Sequence, residues 1–224
     1  MIFGYWHSTD HDRIREAVEA WRVHFPDFRV IGDKDIEPLI ARQFPNCLEA
    51  YQRIRIPCCK SDLARMLGLY EWGGLYVDVH CGIRDEKFIR ELIASLASFE
   101  MILFDKHRKS NQWHLTPSFM FARKHSDIPL ECVASAFRNI KSHWKMEKEQ
   151  GFRPYNLWGM VASGNLINNL IDFTVQPPAI KPRFAQKVWL FPEETAPIAR
   201  NMHGSYREPG MHWSERQLRE PLFD

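Results

Sequence analysis

A chain of 224 residues, 45% apolar and 26% charged, is long enough to bury a core of its own and suits one domain spanning 1–224. A formal net charge of +2 gives no basis for a dedicated nucleic-acid surface, and no nucleic-acid partner is expected. No apolar run approaches the roughly 20 residues of a membrane span. The opening residues, Met1 to Ser8, turn polar too soon for a signal peptide, and the five cysteines lack zinc-site spacing, so a cytoplasmic protein with reduced thiols is expected.

Ile2 to Trp6 reads as a strand. The helix after it, from about Asp10, carries the apolar stripe Ile14, Ala17, Val18 and Trp21 and ends at Phe25-Pro26. Phe28 to Ile31 reads as a second strand, so the chain opens strand, helix, strand, as a nucleotide-binding α/β layer does. Gly32 to Asp35 is predicted as a turn, followed by short helices over 36–43 and from Asn46, with Pro57 as a break.

The central stretch runs from Lys60 to His80. Its first half reads as a helix, with Leu63, Met66, Leu67 and Tyr70 at helical spacing, Ser61 as the cap and Gly73 as the stop. Its second half reads as a strand with Leu75, Val77 and Val79 on one face and Tyr76, Asp78 and His80 on the other. Asp62 and Arg65, three apart, sit side by side near the helix start. On the residues alone, a solvated ion pair and a surface Asp and His account for this pattern as well as a ligand site does.

The run S-D-L-A-R followed by L-Y-E-W-G-G-L-Y-V-D-V-H resembles the DXD region of glycosyltransferase family 32, which includes capsule and lipopolysaccharide sugar transferases and is related to clostridial toxin catalytic domains. Ser61, Asp62, Arg65, Tyr70, Gly73, Gly74, Tyr76 and Asp78 stand at matching positions, and His80 stands where the family has its second Asp. The close match covers about residues 60–83. The resemblance implies a single GT-A-like α/β domain with a mixed central sheet flanked by helices. It implies a nucleotide diphosphate sugar as donor, contacted by Asp62, Arg65, Tyr76 and Asp78, and retention of anomeric configuration. Trp6 is the loose match to the aromatic residue that stacks on the base, a position a core tryptophan fills equally well.

After His80, Cys81-Gly82 turns the chain and Asp85 caps a helix with the stripe Ile89, Leu92, Ile93 and Leu96. Residues 101–104 and 119–122 read as buried strands, joined by a polar loop over 106–116. A helix is predicted from Asp127 to Ile140, and 141–153 as a charged, solvated connection or helix end and not a basic binding patch. Residues 156–171 read as helical; Gly164 and Asn165 there match the family's glycine near the donor sugar, or serve close helix packing. Residues 188–191 read as the last strand, and 192–224 as a C-terminal active-site loop and tail, with 201–213 expected to close over the donor. His203, Ser205, Tyr206, His212 and Trp213 resemble, imperfectly, the family's C-terminal histidine and Ser-Trp pair.

A diphosphate leaving group needs a cation and donors aimed at its oxygens. Asp78 and His80, with His203 or His212, form the candidate ligand set; a carboxylate suits magnesium or manganese, and imidazole shifts the balance to manganese. The expected function is metal-dependent sugar transfer to a glycan or lipid-linked saccharide. The alternatives are a non-catalytic nucleotide-sugar or glycan-binding protein of the same fold, and a toxin-like protein glycosyltransferase.

Overall fold

The computed structural model describes residues 1–106, 113–203 and 210–224. Strand β1 (Ile2–Tyr5) leads through a 3-10 turn into α1 (Arg15–His24), then β2 (Arg29–Ile31), α2 (Asp33–Gln43), α3 (Leu48–Gln52) and α4 (Pro57–Trp72). Strands β3 (Gly74–Val77) and β4 (Gly82–Ile83), helix α5 (Glu86–Ser95), β5 (Met101–Asp105), β6 (Phe119–Ala122) and the long α6 (Asp127–Gln150) follow. The chain ends with α7 (Leu157–Met160), α8 (Ser163–Leu170), β7 (Ile171–Asp172), β8 (Ala179–Ile180), β9 (Val188–Pro192), β10 (Ile198–Ala199) and α9 (Trp213–Arg216).

Six strands form a mixed sheet in the order β2-β1-β3-β6-β5-β9. Only β6 is antiparallel to its neighbours, so β2, β1, β3, β5 and β9 run the same way and their carboxyl ends share one edge. Both faces are covered. Phe3, Tyr5, Tyr76, Leu103 and Met120 pack against residues of α2, α4, α6 and α8, while Ile2, Leu75, Val77, Phe104 and Phe119 pack with residues of α1 and α5. Burial on two faces is why these strands read as continuous apolar runs. Among the described residues no helix is long and apolar enough to cross a membrane, and all five cysteines are free thiols.

The local readings need several corrections. Pro57 does not break the chain but starts α4, in the first helical position where its missing N–H costs nothing. Ser61 therefore lies inside the helix and caps nothing. Of the two readings of 141–153, the helix end holds for 141–150, which continue α6; the stretch is not wholly solvated, because the His143 and Glu147 side chains are buried and Glu147 accepts from His143 Nε2 and from the backbone N–H of Leu222. The predicted helix over 156–171 is two short helices, α7 and α8, interrupted at Val161. Strand β9 is not the last: β10 pairs antiparallel with β4, Ile198 beside Ile83 and Ala199 beside Gly82.

The tail is partly built into the fold. Arg55 N donates to Leu222 O (2.9 Å) and Asp224 N to Arg53 O (3.0 Å), which fastens the C-terminus to the segment just before α4. The turn from α4 into β3 depends on two glycines with positive φ, Gly73 (65°) and Gly74 (91°), a backbone region that L side chains rarely adopt. A Cβ on Gly74 would also run into the carbonyl oxygen of Met1. Gly151, at φ 72°, has open space around it. Gly151→Ala should therefore cost about 1 to 3 kcal/mol from backbone strain alone, and Gly74→Ala about 4 kcal/mol or more. Urea denaturation of the two variants checks this, and equal losses would mean that crowding at Gly74 is relieved at no cost.

Candidate functional site

At the carboxyl end of β3 the Asp78 N–H donates to Ser118 O (2.7 Å), and Cys81 N donates back to Asp78 O (2.9 Å), closing a tight turn over 78–81. The turn, and not the pleat of an exposed strand, sets where Asp78 and His80 point; β3 ends at Val77 and is buried on both faces. Tyr76 is accordingly in the core, with its hydroxyl and one face of its ring turned to the site. It donates to Asp78 Oδ1 (2.7 Å) and lies 3.0 Å from Ser61 Oγ, which joins the first half of α4 to the end of β3.

Arg65 is the centre of this cluster. Its Nη2 meets Asp62 Oδ1 at 3.0 Å and Asp78 Oδ1 at 3.4 Å, its Nη1 donates to the carbonyl of Pro117 (2.5 Å), and its guanidinium lies over the Tyr76 ring, 4.9 Å from the centroid. The Arg65 Nε, buried, has no hydrogen-bond partner among the described residues. Asp62 and Arg65 are only 7% and 5% exposed, which rules out a solvated surface pair. Charges buried to this degree persist only when paired and hydrogen-bonded.

The electrostatics follow from that burial. Burial pushes the Asp62 carboxyl up to about 6, against the pull of Arg65 and with a further push from Asp78. Burial alone would lower the Arg65 pKa, but Asp62, Tyr76 and Asp78 together raise it, so the guanidinium stays charged. The Tyr76 hydroxyl is pushed well above its ordinary value, chiefly by burial and next by Asp78, and remains a donor. The result is a fixed cation between two carboxylates, with one N–H still to be satisfied.

The remaining candidate residues are spread more widely. His80 Nε2 lies 3.9 Å from Asp78 Oδ2. The pairing of β10 with β4 brings the segment after Ala199 back beside His80, where His203 N donates to His80 O (3.1 Å). His212 caps α9, its Nδ1 2.6 Å from Ser214 Oγ. Among the described residues no three His, Cys, Asp or Glu side chains stand together as a metal cage. Trp6 is buried at the end of β1, its indole N–H donating to Asp10 O (2.9 Å). Asn165 donates to Cys132 O on α6 (2.9 Å), and a Cβ on Gly164 would meet the Trp158 ring at 2.5 Å, so both take part in helix packing. Ser205 and Tyr206, with most of the polar loop over 106–116, lie outside the described residues.

Sequence reasoning missed the carbonyls of Pro117 and Ser118, because main-chain acceptors leave no residue signature. It also missed that Ser61 bridges to Tyr76. The signal was there, in a serine one position before the Asp62–Arg65 pair and too far into the helix to cap a chain that starts at proline.

Residues 11–98 match the family described as "Glycosyltransferase sugar-binding region containing DXD motif". No curated protein matches the chain. Among solved structures the chain is similar to PaToxG glycosyltransferase, at 11% identity and TM-score 0.46, over 75% of this chain and 67% of that one. It is also similar to a glycosyltransferase involved in the glycosylation of the major capsid of PBCV-1, at 14% identity and TM-score 0.36, over 87% of this chain and 82% of that one. The family match, and not these remote likenesses, bears on the chemistry.

A carboxyl whose pKa is about 6 when folded and 3.8 when unfolded binds its proton more tightly in the folded state. Its contribution to stability is therefore greatest below about pH 4 and is lost as pH rises through 6. Asp62→Asn removes that titration. The stability of wild type relative to Asp62→Asn should fall by on the order of 3 kcal/mol between about pH 4 and pH 7. Urea unfolding of both proteins across that window measures it; parallel curves would show that Asp62 is not strained by its burial.

Proposed function

We propose, from the match of residues 11–98 to a glycosyltransferase sugar-binding region, that the chain is a GT-A-like glycosyltransferase, with Asp78 and His80 in place of the paired aspartates, that moves a sugar from a nucleoside diphosphate donor to a saccharide acceptor, using a divalent cation and retaining the anomeric configuration. The observation that carries the donor site is the buried Asp62–Arg65–Asp78 cluster at the shared carboxyl edge of the parallel strands, with Arg65 Nε unpartnered among the described residues. In open α/β sheets that edge is where ligands bind.

In this reading Asp62 accepts hydrogen bonds from donor-sugar hydroxyls, and Arg65 donates to a sugar hydroxyl or a phosphate oxygen. The Tyr76 hydroxyl and Arg65 occupy Asp78 Oδ1, which leaves Oδ2, on the side of His80 Nε2, for a cation. One carboxylate oxygen and one imidazole fit manganese or magnesium as a partial ligand set, with manganese favoured by the nitrogen. The donor's phosphates and water would supply the other ligands. When bound, such a cation neutralises charge on the departing diphosphate. His203, whose backbone is joined to that of His80, is the nearest reserve among the C-terminal histidines for which a bond to this turn is seen. The five free thiols support a reducing, cytoplasmic setting, and a role in polysaccharide assembly accords with a saccharide acceptor.

Arg65→Lys and Asp78→Asn should each lower kcat/KM for donor hydrolysis by about 100-fold or more, the loss typical of a removed donor or charge at a developing anion. EDTA should abolish turnover and manganese restore it, read by release of nucleoside diphosphate. Turnover indifferent to EDTA would remove the cation from the proposal, and full activity in both variants would remove the donor site.

A further inference from the structure

A second polar cluster stands where β1, α2, α3 and α4 converge, and the sugar chemistry described above makes no use of it. The Asp33 carboxylate, in the first residue of α2, accepts from Tyr5 OH (2.6 Å) and Tyr51 OH (2.7 Å) on Oδ1 and from Lys60 Nζ (2.9 Å) on Oδ2. Lys60 Nζ also lies over the Tyr51 ring, 5.0 Å from its centroid. We infer that Asp33 is a positioning residue for the donor site: through Lys60 it fixes the first turn of α4, and with it Ser61, Asp62 and Arg65. This inference rests on the glycosyltransferase reading for its functional consequence, and on geometry alone for the clamp itself.

The reason α4 needs such a clamp lies in its own sequence. The helix has no side-chain cap, no acidic residue in its first turn, and Pro57 at its start. A lysine in that first turn faces the positive end of the helix dipole, an arrangement that is unfavourable by itself. Asp33 compensates it from the start of a different helix, where a carboxylate is favoured. The three bonds to Asp33 outweigh its partial burial and hold its pKa below the ordinary value, so the anion persists at neutral pH. Lys60 is tied on one side to Asp33, and the next residue, Ser61, is tied on the other side to Tyr76 and so to Asp78. A single turn of helix is thus pinned between the ends of β1 and β2 and the end of β3. Asp62, one residue further on, and Arg65, one turn further on, inherit their position from those two pins. Tyr5 and Tyr51 fix the carboxylate against rotation.

The test uses the full chain with Asp33→Asn, Lys60→Met, Lys60→Arg and the Asp33→Asn/Lys60→Met double variant. Lys60→Met keeps an unbranched apolar side chain of similar bulk and removes the ammonium group, with its bond to Asp33 and its place over the Tyr51 ring. Amide exchange over residues 57–65 should accelerate by about tenfold in both single variants while α6 is unchanged, and the double variant should be no worse than either single one, as expected for two halves of one interaction. Against a panel of nucleoside diphosphate sugars, kcat for the best donor should fall by about tenfold with KM altered less than about twofold, and Lys60→Arg should recover most of the loss. Unchanged exchange over 57–65, additive losses in the double variant, or an unaltered kcat would each overturn the inference. A rise in KM confined to Lys60→Met, absent from Asp33→Asn, would overturn it too, because it would make Lys60 a direct phosphate contact. A wild type that turns over none of the panel counts against the sugar-transfer reading alone, and the exchange result decides the clamp either way.

Discussion

The burial of one guanidinium governs the architecture around the site. Arg65 is withdrawn from water almost completely, and an unpaired charge in that position would cost several kcal/mol. Asp62, Asp78, the Pro117 carbonyl and the Tyr76 ring are the groups that make it tolerable. They come from α4, the turn after β3 and the segment leading into β6, so three parts of the chain must be in register before any one of them is stable. The same requirement explains why α4 is buried nearly all round and carries its charged residues inside.

That arrangement transmits demands outward. The turn from α4 into β3 must be tight enough to return the chain beside β1, which only the two positive-φ glycines allow. The start of α4 must not drift along its axis, and it is held by Asp33 from one side and by the C-terminal residues, through Arg53 and Arg55, from another. Glu147 completes the second restraint, accepting from the Leu222 N–H and from His143. The last residues of the chain therefore contribute to the placement of Asp62 and Arg65 without approaching them in sequence.

The short β4–β10 pair has a comparable effect on the other side. It carries the chain from β9 back along the segment following His80, and the hydrogen bond from His203 N to His80 O is its continuation. The 78–81 turn is thereby braced from outside the main sheet. A carboxylate and an imidazole 3.9 Å apart on such a turn are held by backbone contacts at both ends, not by the alternation of a strand.

How much of this was legible in the sequence depended on the range of the interactions. The alternation of strands and helices, the Asp85 cap, the Gly73 stop and the Asp62–Arg65 pairing are all written within a few residues, where periodicity and capping chemistry act. The motif spacing from Ser61 to Asp78 was equally readable, because the helix, turn and strand that separate its members have fixed lengths. Tertiary structure alone decided that the pair is buried, that Ser61 bridges to Tyr76 instead of capping, and that 141–150 extends α6 around a buried His143–Glu147 contact. It also set the packing contacts that Gly164 and Asn165 make, and the pairing of Lys60 with Asp33. In each case the deciding partner lies far away in sequence or is a main-chain atom, and a polar side chain takes its meaning from whichever partner folding brings to it once water has been excluded.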